Sequence, residues 1–382
     1  MVIILPKTLA LTGNNAIAWG VRASRVELIA AYPITPQTTI VELLSEWVER
    51  GELDAEYIRV ESEHSAMSAV IGASAAGART FTATSSHGFF YMYEMIAFAA
   101  GARVPVVMAC VNRFHGPPWN IWSDWMDALA ARDLGWIQFW VSNNQEAFDS
   151  VIQAYRVAED KRVILPAMVI IEGFVLSHTM APVIIHDQEK IDDFLPPYEP
   201  PHYIVNPKIT DAFTFGNIVW PWDTAPLRWS MHKAMSNAKE VIKEACREFR
   251  ELFGIDHGDL TKQYRLDDSD IAIVSMSSLA ETSEVVVDKL REKGVKAGVL
   301  KVRVLRPFPE EDLVKQLKDK DVVIVLDRDL SLGFDGVLGI EVRSALQKHR
   351  VDVPVYSYSI GLGGDEILPE HIESIVKEVV QK

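Results

Sequence analysis

Arg59–Gly88, RVESEHSAMSAVIGASAAGARTFTATSSHG, is the stretch on which the reading of this chain turns. It opens at a strand end, Tyr57–Val60, followed by two acids, Glu61 and Glu63. A helix from about Ser65 to Ala76 comes next, made almost wholly of Ala, Ser, Gly, Val and Ile, and then a Thr-rich strand, Arg79–Thr84. Side chains this small suit a helix packed very close to a neighbour or a ligand. An acid buried beside such a helix is either paired with a cation or placed for chemistry.

Upstream, Asn14–Ala23 reads as a helix and Val26–Ala31 as a strand that ends in Tyr32-Pro33-Ile34-Thr35-Pro36. Two prolines around Ile-Thr forbid regular structure, since each fixes its own φ and pushes its predecessor out of the helical region. A rigid loop at the carboxyl end of a parallel strand is where open α/β sheets bind ligands, so the Thr35 hydroxyl is a candidate to face a substrate. The alternative is a plain turn with Thr38 or Thr39 capping the helix Thr39–Arg50. Downstream, VPVVMACV reads as a strand ending in Asn112-Arg113, followed by helix Gln145–Ala158 and strand Ala167–Ile171. This βαβα pattern predicts a mostly parallel sheet with helices on both faces over residues 1–183.

Residues 184–265 break the pattern. Pro196, Pro197, Pro200, Pro201, Pro207, Pro221 and Pro226 alternate with Tyr198, Tyr203, Phe213, Phe215, Trp220, Trp222 and Trp229. So many rings argue against a disordered linker, and the segment is expected to wrap along the domains or a partner subunit before a long helix, Trp229–Phe253. Residues 266–382 restart α/β order with strands Ile271–Met276, Lys296–Leu305, Val322–Asp327 and Val353–Ser359. The glycines Gly361, Gly363 and Gly364 do not form GxGxxG opening a βαβ unit and read as a turn.

The composition is that of a soluble globular protein, 48% hydrophobic and 24% charged, with a formal net charge of -15 that argues against nucleic-acid binding. No apolar run is long enough to span a membrane and the N-terminus lacks a signal-peptide pattern, so a cytoplasmic location is expected. With two cysteines, Cys110 and Cys246, there is no CxxC pair and no four-thiolate motif. Neither a Walker loop, HExxH nor GxSxG occurs. What remains is a hydroxyl (Thr35), a carboxylate (Glu61 or Glu63) and a guanidinium (Arg113) at strand ends of one sheet, a set suited to a small anionic substrate.

YPITPQT, the opening stretch, VNR at 111–113, NIWSDWMDALAARDLGWIQ, GFVLSH and GLGGDEILPEHI together resemble the alpha subunit of the 2-oxoacid:ferredoxin oxidoreductases, of which pyruvate synthase is the best-known member. The resemblance covers nearly the whole chain. It implies a thiamin-diphosphate enzyme with a pyrimidine-type first domain (1–183), a connecting segment and long helix (184–265) and a transketolase C-terminal-like domain (266–382). Glu63 matches the glutamate that contacts N1′ of the aminopyrimidine, where a carboxylate in a desolvated site favours the imino tautomer. The competing reading is a salt bridge to Arg59. Thr35 matches the threonine near the reacting carbon, and Arg113 the arginine that holds the substrate carboxylate; a subunit-interface salt bridge is the other reading of Arg113. The GDG motif with a later Asn, which holds diphosphate and Mg2+ in thiamin enzymes, is missing. The resemblance therefore assigns the diphosphate, Mg2+ and 4Fe–4S clusters to partners: a beta subunit, with gamma and ferredoxin-like delta subunits, in a dimer of hetero-oligomers. Coenzyme A is the expected co-substrate, and ferredoxin or NAD(P) the final acceptor. A thiamin enzyme without redox chemistry and a non-catalytic scaffold subunit are the other classes.

Where pyruvate-type relatives carry mostly small or aliphatic residues, with His usual at the positions of Trp125 and Tyr93, this chain has Phe114, Trp119, Trp122 and Trp125 after the arginine and Phe89, Phe90, Tyr91 and Tyr93 after His87-Gly88. Phe114 and Trp119 are thus candidate substrate contacts, and rings there predict an aryl 2-oxo acid such as phenylglyoxylate. The alternative is that the rings repack behind the pocket or seal a subunit interface.

Overall fold

A computed structural model describes residues 7–201, 204–205 and 215–381. Tyr203, Pro207 and Phe213 of the connecting segment lie outside the described residues. Because the central strands Val107–Asn112 and Ala167–Glu172 are buried along their whole length, both faces of their sheet must be covered, which is the condition for parallel pairing. That sheet has seven strands in the spatial order Val304–Arg306, Ile137–Trp140, Ala167–Glu172, Val107–Asn112, Thr80–Thr84, Leu28–Ala31 and Glu56–Arg59. All neighbours are parallel except the first pair, so the loops after Leu28–Ala31, Glu56–Arg59, Thr80–Thr84 and Val107–Asn112 emerge at one edge. A second sheet of five strands runs Val355–Ser359, Val322–Asp327, Ile271–Ser275, Ala297–Val302 and Thr261–Tyr264, antiparallel only at the last. The fold is thus mixed α/β with mostly parallel sheets.

Four local readings change. The small-residue helix starts at Glu63 rather than Ser65, with Ser62 as its extended cap. The long helix runs Pro221–Phe253 and starts before the expected Trp229, because Pro221 occupies the first helical position, where a missing N–H costs nothing, and Pro226 is tolerated inside it. Lys7–Thr12 and Met180–Ile185 form an unforeseen antiparallel pair. Most consequential, the expected strand Lys296–Leu305 is two strands in different sheets: Ala297–Val302 joins the second sheet, and Val304–Arg306 pairs with Ile137–Trp140 of the first. The start of the connecting segment lies along the first sheet's domain, with the Pro196 carbonyl accepting from Arg79 Nη2 at 2.7 Å and Val205 N donating to the Ala75 carbonyl, whereas its end, Thr261–Tyr264, is an edge strand of the second sheet.

Arg303 sits at the crossing point between the sheets, fully buried. Its Nε donates to Glu146 Oε1 at 2.7 Å and its Nη2 to Gln153 Oε1 at 2.6 Å. Lys301 Nζ meets Glu146 Oε2 at 2.5 Å and Ser142 Oγ at 2.7 Å. Burial alone would raise the Glu146 carboxyl, but Lys301 and Arg303 hold it well below the usual carboxylate range. Removing one member strands the buried charges of the others.

Glu146→Gln is therefore expected to cost about 3–5 kcal/mol at neutral pH, measured by denaturant unfolding of the purified chain. Since the folded-state value is depressed, this stability is present above the unfolded carboxylate's range, about 4.3, and fades as pH falls toward the folded value. The gap between wild type and variant should narrow in acid.

Candidate active site

Ser62 is held extended and its Oγ accepts from Ser65 N at 3.2 Å, which places Glu63 as the first residue of the helix Glu63–Ala75. Helix geometry thereby turns the two acids apart. Glu61 is exposed and accepts from Ser65 Oγ, a local capping role, while Glu63 is only 6% exposed. The ion pair of Glu63 with Arg59 does not form, because Arg59 pairs instead with Glu49 at 2.9 Å. Burial raises the Glu63 carboxyl above its ordinary value, against the pull of its own backbone N–H and of the Arg113 charge. Gly88 fits against this carboxylate: a Cβ there would overlap Glu63 Oε1 and lie 2.7 Å from Thr84 Oγ1.

Arg113 leaves the end of strand Val107–Asn112 and is buried. Nη1 donates to the Thr35 carbonyl at 2.7 Å, Nη2 lies 3.0 Å from His87 Nδ1, and the Trp119 ring lies 5.3 Å from its guanidinium carbon. Thr35 is exposed on its loop, which Asn14 secures by donating to the Pro36 carbonyl at 2.7 Å and Thr39 Oγ1 at 2.8 Å. Neither Thr38 nor Thr39 caps the following helix; Gln37 takes that place. Thr35, Glu63 and Arg113 thus share one sheet edge. Phe114 is stacked on His115, 5.9 Å between centroids, and sits beside Gly363, so Trp119 rather than Phe114 is the ring over Arg113.

The other rings divide. Phe89 is fully buried, the Tyr93 hydroxyl donates to the Ala130 carbonyl, and Trp125 is buried with its Nε1 donating to Glu172 Oε1 at 2.9 Å. These three pack behind the site. Phe90 meets His115 at 4.9 Å, while Tyr91 and Trp122 stay exposed.

Two supporting residues lay within the quoted motifs without being singled out. Asp127, fully buried, accepts from Ser86 N at 2.9 Å, Arg113 N at 3.1 Å, Asn112 Nδ2 at 2.5 Å and Ala128 N at 2.8 Å. Burial pushes its carboxyl up to about 7, the donors working in the opposite direction. His87 joins Arg113 to the next loop, with Gly116 N donating to its Nε2 at 3.1 Å. The C-terminal glycines do more than turn: Gly363 accepts from Asn120 Nδ2 at 2.8 Å and donates to Asp124 Oδ2 at 3.2 Å, propping the segment after Arg113.

Residues 19–247 match the family described as pyruvate flavodoxin/ferredoxin oxidoreductase, thiamine diP-binding, and residues 269–372 match pyruvate:ferredoxin oxidoreductase core domain II. The chain belongs to the alpha-subunit family of the 2-oxoacid:ferredoxin oxidoreductases. It is 47% identical over 371 residues to pyruvate synthase subunit PorA of Methanocaldococcus jannaschii, covering 97% of this chain and 94% of that one. Ketoisovalerate oxidoreductase subunit VorA of Pyrococcus abyssi is 43% identical over 379 residues, covering 99% and 95%. A solved 2-oxoglutarate:ferredoxin oxidoreductase from Magnetococcus marinus, with 2-oxoglutarate, coenzyme A and succinyl-CoA bound, superposes with a TM-score of 0.76 at 19% identity; the match covers 98% of this chain and 65% of that one, and shows the fold.

Gly88→Ala should push the Glu63 carboxylate off its position. Loss of turnover on the order of 10²-fold in the assembled complex, at unchanged expression, is the expected result.

Proposed function

We propose that this chain is the alpha subunit of a complex that oxidatively decarboxylates a 2-oxo acid to its acyl-CoA. The observation that supports it most is Glu63, a carboxylate nearly excluded from water that receives no hydrogen bond from another described residue. Burial raises its proton affinity, and glycine rather than a larger residue lies against it. That environment fits the N1′ edge of an aminopyrimidine, so Glu63 would hold thiamin diphosphate there. When bound, that cofactor supplies the carbon nucleophile and the electron sink for decarboxylation.

The protein's own part is positioning and proton control. Arg113, fixed through its backbone to Asp127 and through Nη1 to the Thr35 carbonyl, presents Nη2 to the substrate carboxylate. Thr35, exposed beside it, offers a hydroxyl to the reacting end. The diphosphate, Mg2+ and 4Fe–4S clusters fall to a beta subunit and further partners, because the GDG motif and cysteine clusters are missing from this sequence. Those clusters would supply the route by which electrons reach ferredoxin or NAD(P), and coenzyme A would take the acyl group.

As to the acid, the Trp119 ring over Arg113 with His87 edge-on favours an aryl side chain, phenylglyoxylate in particular. The burial of Phe89 and Trp125 favours a second reading, pyruvate, since those rings add nothing to the pocket wall, and the relatives include pyruvate synthase subunits.

In the assembled complex, Glu63→Gln is expected to lower turnover by on the order of 10²–10⁴-fold while subunit composition is preserved. Unchanged activity would favour a scaffold role. Comparing kcat/KM for phenylglyoxylate and pyruvate chooses between the acids: the aryl reading requires phenylglyoxylate to be the better substrate.

A further inference from the structure

His87 poses a hydrogen-bonding problem that the protein alone does not solve. Its Nδ1 lies 3.0 Å from Arg113 Nη2, and its Nε2 lies 3.1 Å from the Gly116 backbone N–H. Both neighbours are obligate donors. Neutral imidazole has one lone pair and one N–H, so whichever nitrogen carries the proton faces a donor with nothing to accept it. Turning the ring over would present C–H groups to both, and protonating it would place two N–H groups against two donors beside the Arg113 charge. Trp119 meets the ring edge at 5.6 Å between centroids and lies over Arg113, which confines the movement of both. His87 is nevertheless exposed, so its ring has room to swing outward.

A carboxylate oxygen beside Arg113 removes the conflict. Arg113 Nη2 then donates to the carboxylate, His87 carries its proton on Nδ1 and donates to the same group after a small outward rotation, and Nε2 keeps its lone pair for Gly116 N–H. We propose that His87 is a substrate-binding residue, the second donor to the 2-oxo acid carboxylate alongside Arg113. Arg113 Nη1 is committed to the Thr35 carbonyl, and Nε is buried with no acceptor among the described residues, so Nη2 is the arm that turns to substrate and His87 is the group touching that arm. This assignment rests on the 2-oxo acid reading of the site and adds a residue that sets affinity for the acid's charged end.

The test uses the assembled complex with His87→Leu, which removes both ring nitrogens, and His87→Gln, whose amide both donates and accepts. Pyruvate and phenylglyoxylate are the substrates, and oxamate, an unreactive isostere of pyruvate, is the competitive inhibitor. Losing one hydrogen bond to a charged group should raise KM and the oxamate Ki of the Leu variant by roughly 10–100-fold. The effect on kcat should be smaller, and the Gln variant should recover most of the loss. If the Leu variant keeps KM and Ki within about twofold of an active wild type, or Gln rescues nothing, His87 is structural and the proposal falls while the 2-oxo acid reading stands. A wild-type complex that oxidises no 2-oxo acid and is blind to oxamate overturns both.

Discussion

A single buried carboxylate, Asp127, fastens the site together. It accepts from the backbone N–H of Ser86 and of Arg113, from the Asn112 side chain and from Ala128 N, so two neighbouring strand ends and the short helix Met126–Leu129 converge on it. A carboxylate taken out of water costs several kcal/mol unless its lone pairs are filled, and here four donors fill them. The consequence is positional. Ser86 fixes where His87 and Gly88 follow, and the Arg113 backbone fixes where the guanidinium starts, so the Glu63 cradle and the Arg113 arm are set by one anchor.

The second constraint lies between the sheets. The seven-stranded sheet takes an edge strand, Val304–Arg306, from the C-terminal part of the chain, and the Glu146, Lys301 and Arg303 cluster locks the crossing. Glu172, at the end of a central strand, repeats the device: it accepts from Trp125 Nε1 on one side and from Ser278 N at 3.2 Å on the other, with Arg328 Nε 3.5 Å away. The segment after Arg113 is therefore gripped from both sides, by the first sheet through Asp127 and by the C-terminal part through Gly363 and Asp124. Buried charged clusters of this kind contribute little net stability compared with apolar packing, but they penalise any other register, which suits a site needing fixed geometry.

Aromatic residues in the same two segments have separate roles for reasons of direction. Phe89 is on the buried side of the helix Ser86–Tyr91 and Tyr91 on its exposed side, so neighbouring rings in sequence face core and solvent. Trp125 satisfies its indole N–H internally on Glu172, as buried tryptophans usually do. Trp119 is carried by an irregular loop over Arg113, so it bears on the site where the helical rings do not.

The sequence by itself determined the α/β class, the parallel order and the strand ends that carry Thr35, Glu63 and Arg113, because apolar periodicity and proline punctuation are local signals. The family resemblance was legible in YPITPQT and the opening stretch for the same reason. Tertiary structure alone decided what depends on meetings between distant residues. It turned Arg59 away from Glu63, since the pairing of Arg59 with Glu49 on the preceding helix is set by neighbours in space. It split the run Lys296–Leu305 between two sheets, because a strand-forming pattern does not say which sheet a strand joins. It also brought His87 against Arg113 and Asp127 beneath both, contacts spanning 26 and 14 residues that no periodicity encodes.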